Sequence, residues 1–299
     1  MREEKDIRDD EIRVIGSSDE PQPTKPNKWV FAALVVVVIG AVVWWAVHYS
    51  SEHPSEETEP AYFEPQDSLV AANRPARTHL GREVDSLTRG FCEICDTIIN
   101  DIPLRLFIPH NAEMSLHVGR LNQQDTSIIY AAQAADIRRD NGKIVGAFVL
   151  KGEPLAWGLS KKGFCAAIDG KITVGVADNS PLFEEATERS GYFFRQYPLV
   201  KDGVLVENEP KNKSVRRAIC DRQGEIFMVE SLSKESFHDF AQALVDLGVD
   251  QSVYLVGSSA YGWAVDERGE RYEFGEDNYY TGRHRMPTNT NYIVWRKYE

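Results

Sequence analysis

The sequence has 299 residues, with 34 Lys and Arg against 46 Asp and Glu, a formal net charge of −12. An acidic balance of that size argues against nucleic acid, because phosphate binding needs a concentrated positive surface. The length allows one large domain with accessory segments, and no repeat of solenoid or propeller period is visible.

In chain order, residues 1–28 read as a short tail. The segment from Trp29 to Val47, "WVFAALVVVVIGAVVWWAV", carries no charge and no proline. About 20 apolar residues are needed to cross the hydrocarbon core as a helix, so residues 29–48 are expected to span a membrane. Trp29 at one end and Trp44, Trp45 and Tyr49 at the other suit the interface. Lys25 and Lys28 precede the span, whereas Glu52, Glu56, Glu57, Glu59 and Glu64 follow it. The positive-inside rule therefore expects a cytoplasmic N-terminus and an extracytoplasmic C-terminal domain. Residues 49–76 are acidic, contain proline and are poor in aliphatics, the composition of a stalk.

The ectodomain, residues 77–299, is expected to open on a helix, since Val84, Leu87, Phe91, Ile94 and Ile98 fall at helical spacing and Pro103 follows. Strands are expected at Leu104 to Ile108, Ile144 to Leu150, Lys171 to Val176 and Glu225 to Val229. Turns are expected at Asn141-Gly142, Asp169-Gly170, Asp202-Gly203, Gln223-Gly224 and Arg268-Gly269. A second helix has the stripe Phe237, Phe240, Ala241, Leu244 and Leu247, a cap at Ser231 or Ser233, and Gly248 at its end. Its apolar face should lie on a sheet containing "VYLV" (Val253 to Val256). The expected class is α+β, a mixed or antiparallel sheet with a packed helix.

Cys92-Glu-Ile-Cys95 has redox spacing but sits in a helical pattern with no preceding βαβ strand. Cys165 and Cys220 stand alone, so zinc lacks a second paired motif. Disulfides or buried thiols are the simpler readings, with the pairing of Cys92, Cys95, Cys165 and Cys220 left open. No cofactor is expected, no metal ligand is assigned, and the metal requirement is left open.

The most informative block runs from Val215 to Asp266. It contains Arg217-Ala218-Ile219, the helix with Phe240-Ala241, Leu244, Leu247 and Gly248, and the strand end with Leu255, Gly257 and Ser259. Together with "YPLVKDG" (Tyr197 to Gly203) and "TNYIVW" (Thr290 to Trp295), it resembles the phosphodiester glycosidase family. The resemblance implies hydrolysis of a sugar-1-phosphodiester, with a cation on the phosphate and carboxyl groups handling protons and water. It also marks departures. The aspartate of the family's L-D-G-G-x-S motif is Val256 here, and the second glycine is Ser258. The upstream N-G-G-x-F motif has no clean counterpart, its nearest stretch being Tyr130 to Ile137.

Arg217 is the expected anion clamp, since a guanidinium holds phosphate or carboxylate with two hydrogen bonds. Strand alternation puts it on one face with Ile219, and Arg216, Ala218 and Cys220 on the other. The run "KNKSVRR" also suits a basic, solvated hairpin edge. Gly257, Ser258 and Ser259 are expected to form a turn whose amides approach an anion, or a purely structural turn. Gln133 and Asp136 fall where the family's first loop would lie, and Asp136 is the candidate substitute carboxylate. The expected partner is a phosphorylated or anionic saccharide, bound with or without turnover. The rival is an envelope scaffold that docks a protein partner.

Overall fold

A computed structural model describes residues 79–298. The expected tail, membrane span and stalk lie outside the described residues, and among the described residues no helix is long and apolar enough to cross a membrane. The α+β expectation is corrected. The described residues form three sheets and two short helices, and every strand pair among them is antiparallel.

The first correction is at the start of the domain. The expected helix is a strand, β1 (Phe91–Ile99), paired in register over its full length with β2 (Ile102–His110). Asn100 and Asp101 take φ of 51° and 63° and make the tight turn between them, the primed geometry that suits strand twist. Period two wins over the helical spacing: Cys92 and Ile94 face the central core, while Cys95 and Ile99 face the opposite side. Leu87 and Ile98, two members of the supposed helical stripe, are 91% and 70% exposed.

The remaining strands of the largest sheet are β10 (Pro198–Lys201), β11 (Val204–Leu205), β12 (Arg217–Arg222), β13 (Glu225–Ser231) and β14 (Gln251–Leu255). They give the order β1-β2-β13-β12-β14-β10-β11. The second sheet holds β3 (Ala112–Val118), β4 (Ile128–Gln133), β15 (Gly262–Val265), β16 (Arg271–Phe274) and β17 (Asn291–Lys297), in the order β16-β15-β4-β17-β3. The third holds β5 (Ala147–Leu150), β6 (Glu153–Trp157), β7 (Gly163–Ile168), β8 (Lys171–Val176) and β9 (Tyr192–Gln196), in the order β6-β5-β9-β7-β8.

One buried cluster draws on all three sheets, including Phe107, Ile219 and Val253 from the first, Tyr130 and Ile293 from the second, and Phe148 and Phe194 from the third. The outer face of the first sheet is covered by α2 (Phe237–Asp246), whose Phe237, Phe240, Ala241 and Leu244 pack with Ala218 and Tyr254. That placement is the one expected. The cap is Ser236, whose side chain accepts from Asp239 N. Ser231 and Ser233 do not cap it, because Ser231 still belongs to β13, where its hydroxyl accepts from Arg216 N, and both residues lie before the helix starts at Phe237. A shorter helix, α1 (Leu182–Glu188), covers the outer face of the third sheet through Ala186 and Phe183.

Candidate functional site

Arg217 opens β12 opposite Glu230 on one side and Leu255 on the other. It shares the inward face with Ile219, and the Arg216 guanidinium lies over Phe237 on the α2 side, as alternation requires. Only 1% of Arg217 is exposed. Its Nε donates to Glu230 Oε2 at 3.1 Å, and Nη1 donates to the carbonyls of Val256 and Ala260 at 3.2 and 2.8 Å. Nη2 reaches Ser258 O at 3.5 Å, and the plane lies 4.3 Å from the Phe274 ring. The guanidinium therefore clasps the loop from Val256 to Ala260, in a setting where a buried charge is tolerated because it is paired and hydrogen-bonded.

That loop is fixed from its other side as well. Val256 N donates to Gln133 O at 3.0 Å, Gly257 N to the Tyr254 hydroxyl at 3.1 Å, and Ser258 N to Val215 O at 2.9 Å. Two of the amides expected to approach an anion, those of Gly257 and Ser258, are thus spent within the protein. A Cβ on Gly257 would meet Val215 O at 2.2 Å, so only glycine fits there. Ser258 has φ 55°, and it and Ser259 are exposed. What the turn presents outward is a pair of serines, while Val256 is half-buried behind them.

Gln133 ends β4 and, through its carbonyl, joins the Val256 loop to the segment that carries Asp136. Its own Nε2 donates to Ala135 O at 3.3 Å. Asn291, fully buried at the start of β17, accepts from Ala135 N at 2.7 Å and holds the backbone next to Asp136. The side chain of Asp136 is 36% exposed, and Oδ2 lies 4.0 Å from Lys161 Nζ. Lys161 is 9% exposed, and its Nζ sits 2.8 Å from the centroid of the Tyr197 ring. Tyr197 packs against Tyr254, which carries the hydroxyl that accepts from Gly257 N. A continuous set of contacts thus runs from Asp136 through Lys161, Tyr197 and Tyr254 to Gly257.

Lys161 and Asn291 were not singled out from sequence. "SKKG" reads as a solvated loop, and the burial of Lys161 depends on Tyr197, which belongs to another strand connection. Asn291 lies in a strand that the closing motif marks, but its amide role becomes visible only once β17 lies beside Ala135.

The cysteines are all free. Cys92 and Cys95 lie in β1 with Cys92 in the central core and Cys95 on the opposite side, so the C-x-x-C pair points to two faces of a sheet. Disulfide and redox readings give way to buried thiols. Burial pushes the thiols of Cys92 and Cys165 up, and takes that of Cys220 to about 12. Among the described residues, no group of three His, Cys, Asp or Glu side chains is placed to hold a metal ion.

No protein-family model matches the sequence, and no curated protein matches it. Among solved structures, a hypothetical protein from Synechocystis aligns with a TM-score of 0.45 at 11% identity, over 70% of this chain and 62% of that one. The catalytic domain of zebrafish N-acetylglucosamine-1-phosphodiester alpha-N-acetylglucosaminidase, auto-inhibited by pro-peptide, aligns with a TM-score of 0.50 at 11% identity, over 70% of this chain and 83% of that one. At that identity the likeness concerns the backbone architecture alone: the fold of the described domain distantly resembles that of a phosphodiester glycosidase catalytic domain.

Proposed function

We propose that this domain recognises a phosphorylated or otherwise anionic saccharide and does not turn it over. The binding surface is the end of the molecule where Asp136 and Lys161 meet, walled by Gln133 and by Gly257, Ser258 and Ser259. The observation that carries this reading is the state of Lys161. It is a nine-tenths-buried ammonium whose only ion partner among the described residues is Asp136, at 4.0 Å. A buried charge with so little compensation is costly, and a phosphate or carboxylate oxygen supplies a charge-assisted acceptor.

The case against turnover rests on Val256. The resemblance places the reacting family's aspartate there, and an isopropyl group neither takes a proton nor orients water. Arg217, the expected clamp, has its donors directed at Glu230 and at the loop carbonyls, so its contribution to binding is to hold the Val256–Ala260 loop in place. Asp136 is the carboxylate beside Lys161 and the group on which any residual hydrolysis would depend. The anchor and outward orientation belong to the same proposal, supported by the apolar and basic pattern of residues 25–48 alone.

The test is titration of the full chain with a sugar-1-phosphodiester, comparing Lys161→Ala with Lys161→Arg. The expected result is saturable binding, weakened at least tenfold by the alanine and largely kept by arginine. Equal affinity of the native protein and Lys161→Ala would remove the reading.

A further inference from the structure

A second cation in this domain is buried with no carboxylate in direct contact among the described residues. Arg195 lies in β9, where alternation sends Phe194 into the central core and Phe193 and Arg195 toward α1. It is 1% exposed. Nη1 donates to the carbonyls of Lys161 and Ala177 at 2.8 and 3.0 Å. Nε is buried without a hydrogen-bond partner, and Arg195 has no ion pair within 4.0 Å among the described residues. The contrast with Arg217, which is equally buried but paired with Glu230, is direct. Burial depresses the Arg195 guanidinium, with Asp178 and Glu184 opposing it only at a distance.

Arg195 lines a cavity of about 190 Å³ together with Trp157, Leu159, Asn179, Phe183 and Glu184. At about 30 Å³ per water, that is room for roughly six waters, the scale of one small ring and too short for a lipid chain. Trp157 and Leu159 stand at its mouth, 66% and 65% exposed, whereas large apolar side chains at a surface usually have something to cover them when they cluster. The wall is built for close approach. A Cβ on Gly158 would meet the Gly146 backbone at 3.2 Å, and a Cβ on Gly146 would meet Arg195 O at 3.1 Å. These two glycines bring the end of edge strand β6, with Trp157, down beside Arg195.

We propose that this cavity is a subsite for an acidic sugar, with the carboxylate on the Arg195 guanidinium and one face of the pyranose ring stacked on Trp157. A ring with an apolar face and a hydroxylated rim matches an exposed indole flanked by Asn179 and Glu184, whose side chains supply a donor and an acceptor for hydroxyls. The carboxylate matches a buried guanidinium that has no ion pair within 4.0 Å, Glu184, which also lines the cavity, acting on it only at longer range. The proposal rests on the anionic-saccharide reading and extends it from the Lys161 end, because Arg195 also holds the Lys161 carbonyl.

The experiment is ligand-observed NMR titration of the full chain with methyl glucuronide, methyl glucoside, cyclohexanecarboxylate and a sugar-1-phosphodiester. The variants are Trp157→Ala, Arg195→Met and Lys161→Ala. Trp157 is exposed, so its variant keeps the fold, and a melting curve checks Arg195→Met. The expected pattern is glucuronide bound at least tenfold more tightly than either the glucoside or the cyclohexane acid, with that affinity lost in Trp157→Ala. A folded Arg195→Met should bind glucuronide and glucoside alike. Lys161→Ala should keep the glucuronide while losing the phosphodiester. Glucuronide binding without phosphodiester binding would end the Lys161 reading and leave this one standing. Equal affinity for glucuronide and glucoside, equal affinity for the cyclohexane acid, or unchanged binding in Trp157→Ala overturns the subsite.

Discussion

Arg217 and Glu230 show how a buried charge becomes structural. Both are nearly inaccessible, with side-chain exposures of 1% and 8%, and removing either partner strands the other. Breaking such a pair costs about 3–5 kcal/mol. Arg217→Ala and Glu230→Ala should each lower urea-unfolding stability by that order, and the double variant by less than the sum. Simple additivity in the cycle would mean that the two side chains do not act together. Asp125 gives a pH-dependent counterpart. Burial pushes its carboxyl up, but hydrogen bonds from Ser127 and the Arg296 guanidinium outweigh this and hold it at about 2. Its pKa is lower folded than unfolded, so the stabilisation is present above the ordinary carboxylate pKa of about 4 and is lost as pH falls toward 2. Asp125→Asn should therefore be less stable than the native protein at neutral pH, with the difference vanishing only as pH falls below about 2. The face on which Arg217 lies was legible in the sequence from alternation alone. Its partners were not, because Glu230 and the Ala260 carbonyl approach only when β12 lies between β13 and β14.

At the scale of elements, the two helical readings had opposite outcomes for one reason. The stretch from Phe237 to Asp246 has a single apolar stripe, a serine at its start and a glycine with φ 86° just beyond its end, and every signal agrees. The stretch around Phe91 to Ile99 has apolar residues at both spacings, and its β-branched end is followed by Asn100-Asp101 and a second strand that pairs with it residue for residue. Long-range pairing decides such cases, and a window on one segment cannot see it. Two measurements address this level. Ser236→Ala should cost about 1 kcal/mol through loss of the cap, whereas Ser233→Ala, which caps nothing, should cost less. Thiol titration should find Cys92, Cys165 and Cys220 unreactive in the native protein, with at most Cys95 modified, and all four reactive in denaturant. Rapid native modification of Cys92 would contradict the alternating placement of β1.

For the whole molecule, the expected turns and the strands named from sequence were legible and the helix on the outer face of the large sheet was placed correctly, whereas β3, β4, β6, β7 and β9 carried no signal that singled them out as strands. The class was not, since the count of sheets depends on which strands become neighbours. β4 and β17 pair from opposite ends of the domain, as do β2 and β13. The candidate site was legible in part for the same reason. Gln133, Asp136 and the Gly257–Ser259 turn were identified from motif positions, and a contact chain joins them. Lys161 reaches that chain through Tyr197, and Arg195 reaches its cavity through the close approach at Gly146 and Gly158. Neither proximity is written in any single segment.

The central claim is recognition of an anionic saccharide at the Lys161–Asp136 end with no turnover. It is tested most directly by incubating the full chain with a sugar-1-phosphodiester while following bound ligand and released sugar together, beside Lys161→Ala and Asp136→Asn. The account predicts saturable binding that Lys161→Ala abolishes, with no sugar released by any of the three proteins. Release of sugar by the native protein that stops in Asp136→Asn would contradict it and identify a working hydrolase with a relocated carboxylate.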